Sequence, residues 1–370
     1  MATPDSIPET AGLALPSGAF ILCGCQPGAE GALAGRQADA LPRFSRGAWR
    51  RGVVTFRAPE GLNPPDDFWP DLIFARTVIR SVGQVVGRSS GELATKARDR
   101  IAETAWGAMH LWRRDERLAI DMDAAHAAIV SAFGLDPAIP SIAKPGDRVL
   151  DCVIDTEDRW WVGWHRAGDV ASTWPGGRYP KPLPEGKVSR AWLKLDEAIT
   201  VFGERLMAGE RALELGCSPG GACQRLLEDG LEVVGVDAAV VDGIVAAHPR
   251  FTQWRMRARD VPLKRLRGFD WLLTDMNIDP RSTMEALGRV IVEADARPRG
   301  VIATLKLPDW SRAAEVPAWL QAFRSWGYAP RARQLSTGGR EICVVAHPIV
   351  NFKGRRGPST PTRAERGFPT

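Results

Sequence analysis

The chain has 370 residues, of which 44% are hydrophobic and 25% charged, with a formal net charge of +5. That length and apolar content exclude a disordered or fibrous chain and fit two or three cored units, and the small surplus excludes a saturated polycation. No secretory pattern and no apolar run of about eighteen residues is present, so a cytoplasmic protein with reduced thiols is expected.

In chain order, 20–25 and 52–57 read as short strands, and the apolar segment 72–82 contains another. Segment 92–112 has helical periodicity, and 148–154 and 160–165 return to strand. Short mixed elements of this kind predict small α+β modules. The stretch W-P-G-G-R-Y-P-K-P-L-P-E-G-K at 174–187 reads as a linker. Ser189 then precedes apolar residues Trp192, Leu195, Ile199, Phe202 and Leu206 at the spacing of a one-sided helix, which makes it an N-cap candidate as well as a candidate ligand contact.

From there strands are expected at 211–216, 231–237, 251–256, 269–275, 300–306, 331–335 and 341–347, with helical stretches between most of them, notably 282–296 and 313–326. Alternating strand and helix predicts a mostly parallel α/β sheet, whose ligand crevice lies beyond the carboxyl ends of the strands. Asp275 and Lys306 end their strands there, while Lys194 lies in the preceding helix and Glu341 opens the last strand.

The first of these strands runs into Glu214-Leu-Gly-Cys-Ser-Pro-Gly-Gly221, and the second ends in Val234-Gly-Val-Asp237. Glycines after the first strand let a ligand approach the backbone, and an acid ending the second suits ribose hydroxyls. Gly216, Gly220 and Gly221 lack the G-x-G-x-x-G spacing of a nicotinamide site, and a proline-containing turn suits the amino-acid end of S-adenosylmethionine instead. Asp260, after the third strand, joins the candidate set.

These segments, S-R-A-W-L-K-L-D-E-A, L-G-C-S-P-G-G, V-V-G-V-D, L-L-T-D-M, L-K-L-P and R-E-I-C-V, resemble the FtsJ-like ribose 2′-O-methyltransferases, and most closely the RlmM family acting on a cytidine of large-subunit ribosomal RNA. The resemblance is strongest over 189–347 and reaches F-I-L-C-G-C-Q-P-G-A-E and D-L-I-F-A-R-T upstream. It implies a Rossmann-like class I methyltransferase domain at 189–350, a ferredoxin-like module at 1–78 and a reduced THUMP-like module at 79–172, while composition gives a linker at 173–188 and a basic flexible tail at 351–370. It places a catalytic tetrad on Lys194, Asp275, Lys306 and Glu341. Cofactor contacts fall on Ser189, Gly216, Ser218, Pro219, Gly220, Gly221, Asp237, Asp260 and Asp275. The implied partner is RNA of the large subunit, presented in an immature or deproteinised form, with transfer RNA or another ribosomal nucleotide as the alternative target.

The chemistry calls for such residues. A ribose hydroxyl is a poor nucleophile until its proton leaves, so a base is needed, and lysine serves only when neutral. Burial and a second ammonium, Lys194, are expected to lower the pKa of Lys306. The rival reading is an RNA-binding factor that keeps the fold for docking. In the tail, Lys353, Arg355, Arg356, Arg363 and Arg366 face only Glu365, a composition suited to phosphate. Most of the fourteen tryptophans are expected in the core, with Trp310 the exception beside the Lys306 strand end. His110, His126, His165, His248 and His347 form no metal pattern in sequence, and no metal is expected.

Overall fold

The computed structural model describes residues 20–35, 40, 41, 43–62, 67–101 and 105–349. The basic tail expected at 351–370 lies outside the described residues. Two sheets organise the described residues.

The N-terminal sheet contains β1 (Phe20–Cys25), β2 (Ser45–Arg50), β3 (Val53–Arg57), β4 (Ala75–Val86), β5 (Ala108–Arg113), β6 (Arg148–Thr156) and β7 (Arg159–Arg166) in the order β2-β3-β1-β4-β7-β6-β5. All its pairs are antiparallel except β5 with β6. Helix α1 (Glu30–Gly35) follows β1, and α2 (Ser90–Arg98) and α3 (Met122–Phe133) pack against each other beside β4 to β7. Period-two alternation divides the strands between two cores: Ile21, Cys23, Val54 and Phe56 on one face, Leu22, Val53, Ile79 and Trp161 on the other. Strand β4 pairs with β1 on one side and β7 on the other, so residue 78, where a module boundary is expected, falls inside a strand shared by both segments.

Segment 92–112 departs from its expected helix. Among its described residues the helix is confined to Ser90–Arg98, and Ala108–Arg113 is a strand in parallel register with β6, from Ala108↔Val149 to Arg113↔Ile154. Pairing and burial of Met109 and Trp112 override the local period. Gly107 precedes the strand where a Cβ would come within 2.7 Å of the Asp147 side chain, so the chain enters only without one. The linker is not a loose tether: Trp174 and Tyr179 are buried, and Tyr179 and Lys181 reach Asp196 of the next helix.

That helix, α4 (Arg190–Phe202), opens the second unit. Strands β8 (Arg211–Leu215), β9 (Glu232–Val236), β10 (Phe251–Trp254), β11 (Trp271–Thr274), β12 (Gly300–Lys306), β13 (Tyr328–Arg333) and β14 (Glu341–Pro348) form a sheet ordered β10-β9-β8-β11-β12-β14-β13. The first five are parallel, and β14 inserts antiparallel between β12 and β13. Helices α5 (Gly221–Glu228), α6 (Gly243–Ala246), α7 (Pro280–Gly288) and α8 (Val316–Ser325) cross between strands. The stretch expected as one helix at 282–296 is α7 followed by a π-turn at Arg289–Glu293, and that at 313–326 begins as a 3-10 turn at Trp310–Glu315. The strand expected at 331–335 starts earlier, at Tyr328.

Strand order reverses between β8 and β11, and ligands of such sheets bind beyond the carboxyl ends of the strands at that switch point. One apolar core continues across both units, from Ile21 and Phe56 through Phe74 to Leu305, Leu307 and Val344. Trp160, Trp161 and Trp164 are buried, whereas Trp310 is half-buried edge-on to Phe74 at 6.4 Å. All six cysteines are buried and free. No helix of the described residues is long and apolar enough to cross a membrane.

Candidate active site

Four elements deliver four charges to the switch point. Asp275 follows β11, Lys306 is the last residue of β12, and Glu341 is the first of β14. Because β14 runs antiparallel to β12, its first residue pairs with the last of β12, in the register Lys306↔Glu341. Lys194 enters from the second turn of α4, whose Trp192, Leu195, Ala198 and Phe202 bury the other flank. Lys194 Nζ lies 2.5 Å from Asp275 Oδ2 and 3.2 Å from Glu341 Oε1. Lys306 Nζ lies 2.7 Å from Asp275 Oδ1 and 2.6 Å from Glu341 Oε2. Each ammonium thus bridges both carboxylates in a closed ring, and each of the four side chains is 10–17% exposed.

This geometry reverses one expectation from the sequence. Burial lowers the pKa of Lys306, but the charges of Asp275 and Glu341 and their hydrogen bonds outweigh it and hold the group above the ordinary lysine value. Lys194 is no unscreened neighbour, since the same carboxylates neutralise it.

The loop before Glu341 is fixed from three directions. The buried Glu197 carboxylate accepts hydrogen bonds from Ser336 N at 2.7 Å, Thr337 N at 2.8 Å and Thr337 Oγ1 at 2.6 Å. Gln26 Nε2 donates to the carbonyls of Leu335, Ser336 and Gly338, and Tyr179 N donates to Ser336 Oγ. A Cβ at Gly338 would come within 2.9 Å of Glu341 Oε1. Glu197 and Gln26 escape a reading based on strand ends; the available signal is a pair of acids, Asp196-Glu197, on the buried side of an amphipathic helix.

The turn after β8 is equally constrained. Gly216 and Gly220 have φ of +77° and +114°, and Ser218 is joined to Pro219 by a cis peptide. A Cβ on Gly216 would stand 2.3 Å from Met276, and one on Gly221 2.2 Å from Ser189 Oγ. Ser189 caps α4 by accepting from Ala191 N at 3.3 Å, so the capping role exists and its hydroxyl also abuts the turn. The half-buried Asp237 holds the same turn, its Oδ2 accepting from Ser218 N at 3.1 Å and its Oδ1 from Ala239 N at 2.9 Å. Asp260 faces solvent in a 3-10 turn beside Arg259.

Glu214, inside β8, is a further acid that strand-end reasoning passes over. It is buried and accepts from Cys223 Sγ at 2.8 Å. Burial, together with the nearby Asp275 and Asp237 charges, pushes its pKa up to about 8 despite that hydrogen bond. A charged letter within an apolar strand is its signal in sequence.

Two spaces meet at the ring. A narrow cavity of about 30 Å³, room for about one water, lies between α4 and the sheet and is lined by Lys194, Glu214, Asp275 and Glu341 among others. An open depression of about 440 Å³ lies outside, bounded by Asn277, Ile278, Asp279, Lys306, Leu307, Pro308, Arg340 and Glu341.

A turn with two positive-φ glycines leaves its backbone open to a ligand, and Asp237 beside it presents acceptors, so the residues fit a nucleoside-bearing sulfonium donor. The family model of the FtsJ-like methyltransferase matches residues 187–294, which span this turn, and S-adenosylmethionine is the cofactor. A Xylella fastidiosa protein named ribosomal RNA large subunit methyltransferase M is 30% identical over 304 residues, covering 75% of this chain and 82% of its own. Its namesake from Halorhodospira halophila is 28% identical over 349 residues, covering 88% and 96%. Among solved structures, TrmN from Thermus thermophilus covers 90% of this chain and 100% of its own at 17% identity, with a TM-score of 0.33. On its sequence relatives and its Rossmann-like methyltransferase sheet, the chain belongs to the family of ribosomal RNA large subunit methyltransferase M.

Proposed function

We propose that this methyltransferase transfers a methyl group to a ribose 2′-hydroxyl, on a cytidine of large-subunit ribosomal RNA, with Lys306 as the base. The observation that carries this reading is the closed Lys194, Asp275, Lys306, Glu341 ring at the mouth of an open depression of nucleotide size. In this reading Gly216, Ser218, Pro219, Gly220 and Gly221 receive the amino-acid end of the cofactor. Asp237 and Asp260 serve its nucleoside, and Ser189 and Asp275 lie at its methyl side. When bound, S-adenosylmethionine supplies an electrophilic sulfonium methyl. The protein's task is then to extract the nucleotide, aim its hydroxyl and take the proton.

Asp275 and Glu341 hold Lys306 Nζ between them, fixing it on the side of the depression where the hydroxyl enters. They also keep it an ammonium at neutral pH, so only its neutral fraction accepts a proton. Below the pKa that fraction grows tenfold per pH unit. The chemical step, read in single turnover, is therefore expected to accelerate about tenfold per unit between about pH 7 and 9. Lys194→Ala leaves both carboxylates to Lys306, raises its pKa further and moves the profile to higher pH. A flat profile would leave Lys306 a positioning cation rather than a base.

The N-terminal sheet is read as a ferredoxin-like module joined to a reduced THUMP-like module through β4, with RNA held outside the methyltransferase unit. The decisive experiment maps 2′-O-methyl sites in ribosomal and transfer RNA from cells with and without the protein. Loss of one cytidine ribose methyl in the large subunit supports the proposal; an unchanged map favours the docking factor.

A further inference from the structure

Three strands of the N-terminal sheet bring His110 of β5, Asp151 of β6 and His165 of β7 together, which their sequence spacing hides. Asp151 pairs with His110 across one strand boundary, and His165 lies diagonally from it across the other, where Val149 is its direct partner. Their ligating atoms lie within 4.8 Å of one another, and the side chains are at most 3% exposed.

The hydrogen bonds fix how the rings stand. His110 Nε2 is 3.2 Å from the Thr173 carbonyl and His165 Nε2 is 2.8 Å from the Ser172 carbonyl. A carbonyl only accepts, so each Nε2 carries the hydrogen and each ring turns Nδ1 toward Asp151. His165 Nδ1 reaches Asp151 Oδ2 at 2.5 Å. His110 Nδ1 faces Asp151 Oδ1 at 3.8 Å, beyond hydrogen-bond reach, and both of these buried atoms lack a hydrogen-bond partner. Two lone pairs facing each other away from water are costly unless a cation stands between them.

We propose that His110 Nδ1, His165 Nδ1 and the Asp151 carboxylate bind one divalent transition-metal ion, with zinc the best chemical match. Two imidazoles and a carboxylate suit that ion, and the second Asp151 oxygen is placed to complete four-coordination. The Ser172 and Thr173 carbonyls are the outer-shell acceptors that hold metal-ligating imidazoles in one tautomer. Binding releases to solvent the proton shared by His165 and Asp151. Enclosure makes the ion structural: it fastens β5, β6 and β7 to the 3-10 turn Val170–Thr173, from which the chain runs to α4.

The test uses the full chain, stripped with chelator, dialysed against Zn2+ or Co2+ and returned to metal-free buffer. Wild type is expected to retain about one equivalent by elemental analysis and to melt several degrees higher than the stripped protein. Co2+ should give visible bands without thiolate charge transfer. His110→Gln, which keeps a donor toward Thr173, and the near-isosteric Asp151→Asn should each lose the equivalent and the shift. No retained metal in wild type, equal retention in a folded variant, or thiolate bands placing the ion on cysteine would each overturn the site. Should both variants fail to fold, the wild-type stoichiometry and Co2+ spectrum decide alone.

Discussion

Lys306→Ala is expected to reduce methyl transfer about 100- to 10,000-fold, roughly 3 to 5.5 kcal/mol of barrier, while S-adenosylmethionine binds almost unchanged. The two readouts separate because Lys306 lines the open depression, whereas Asp237 and the turn it braces through Ser218 N, the proposed cofactor contacts, are not among that depression's lining residues. Lys194 remains to bridge Asp275 and Glu341, so the ring loses one member without leaving either carboxylate unpaired. Single-turnover transfer of a labelled methyl group, with calorimetry of cofactor binding, checks both halves. Activity within a factor of about three of wild type would remove Lys306 from the base role.

Asp237→Ala should weaken cofactor binding by about 2 kcal/mol, roughly 30-fold, which is the scale of hydrogen bonds to a charged acceptor. Part of that loss is indirect. The carboxylate now ties down Ser218 N and Ala239 N, and without it the turn loses its brace as well as its ligand contact. Asp237→Asn separates the two, since its amide oxygen still accepts one of those bonds. Calorimetry should rank wild type above Asn above Ala, and equal affinities would place the nucleoside elsewhere. Gly220→Val is a harsher probe, because its φ is +114° and its Cβ would already meet Val245 at 3.0 Å.

The parallel sheet was legible because its strands are short apolar runs ended by glycine or a charged residue, and β8, β11 and β12 fall close to where their letters place them. Glu341 was legible as a charge opening a strand, but its place beside Lys306 depends on the antiparallel register of β14. Segment 92–112 misled because alanine-rich spacing imitates a helix where pairing with β6 decides otherwise. Glu214 and Glu197 stayed hidden for the opposite reason. Glu214 sits inside an apolar strand and Glu197 in an acid pair that reads as a solvated helix face, and only the fold shows the thiol or backbone amides each meets. His110, Asp151 and His165 are further removed still, since adjacency across three strands leaves no trace in spacing.

The ring of two ammonium groups and two carboxylates is electrically silent at a distance. Opposite charges alternate around it, so its field falls off far faster than that of a lone cation, and an approaching polyanion is neither drawn in nor repelled. If RNA is the substrate as proposed, its capture is then expected to rest on basic side chains outside the ring. Neutralising a member breaks the silence with a definite sign: a missing lysine leaves net negative charge at the mouth and an RNA backbone is pushed away, whereas a missing carboxylate leaves it positive and draws the backbone in. Loss of turnover in the two classes of variant would then come with opposite changes in RNA affinity.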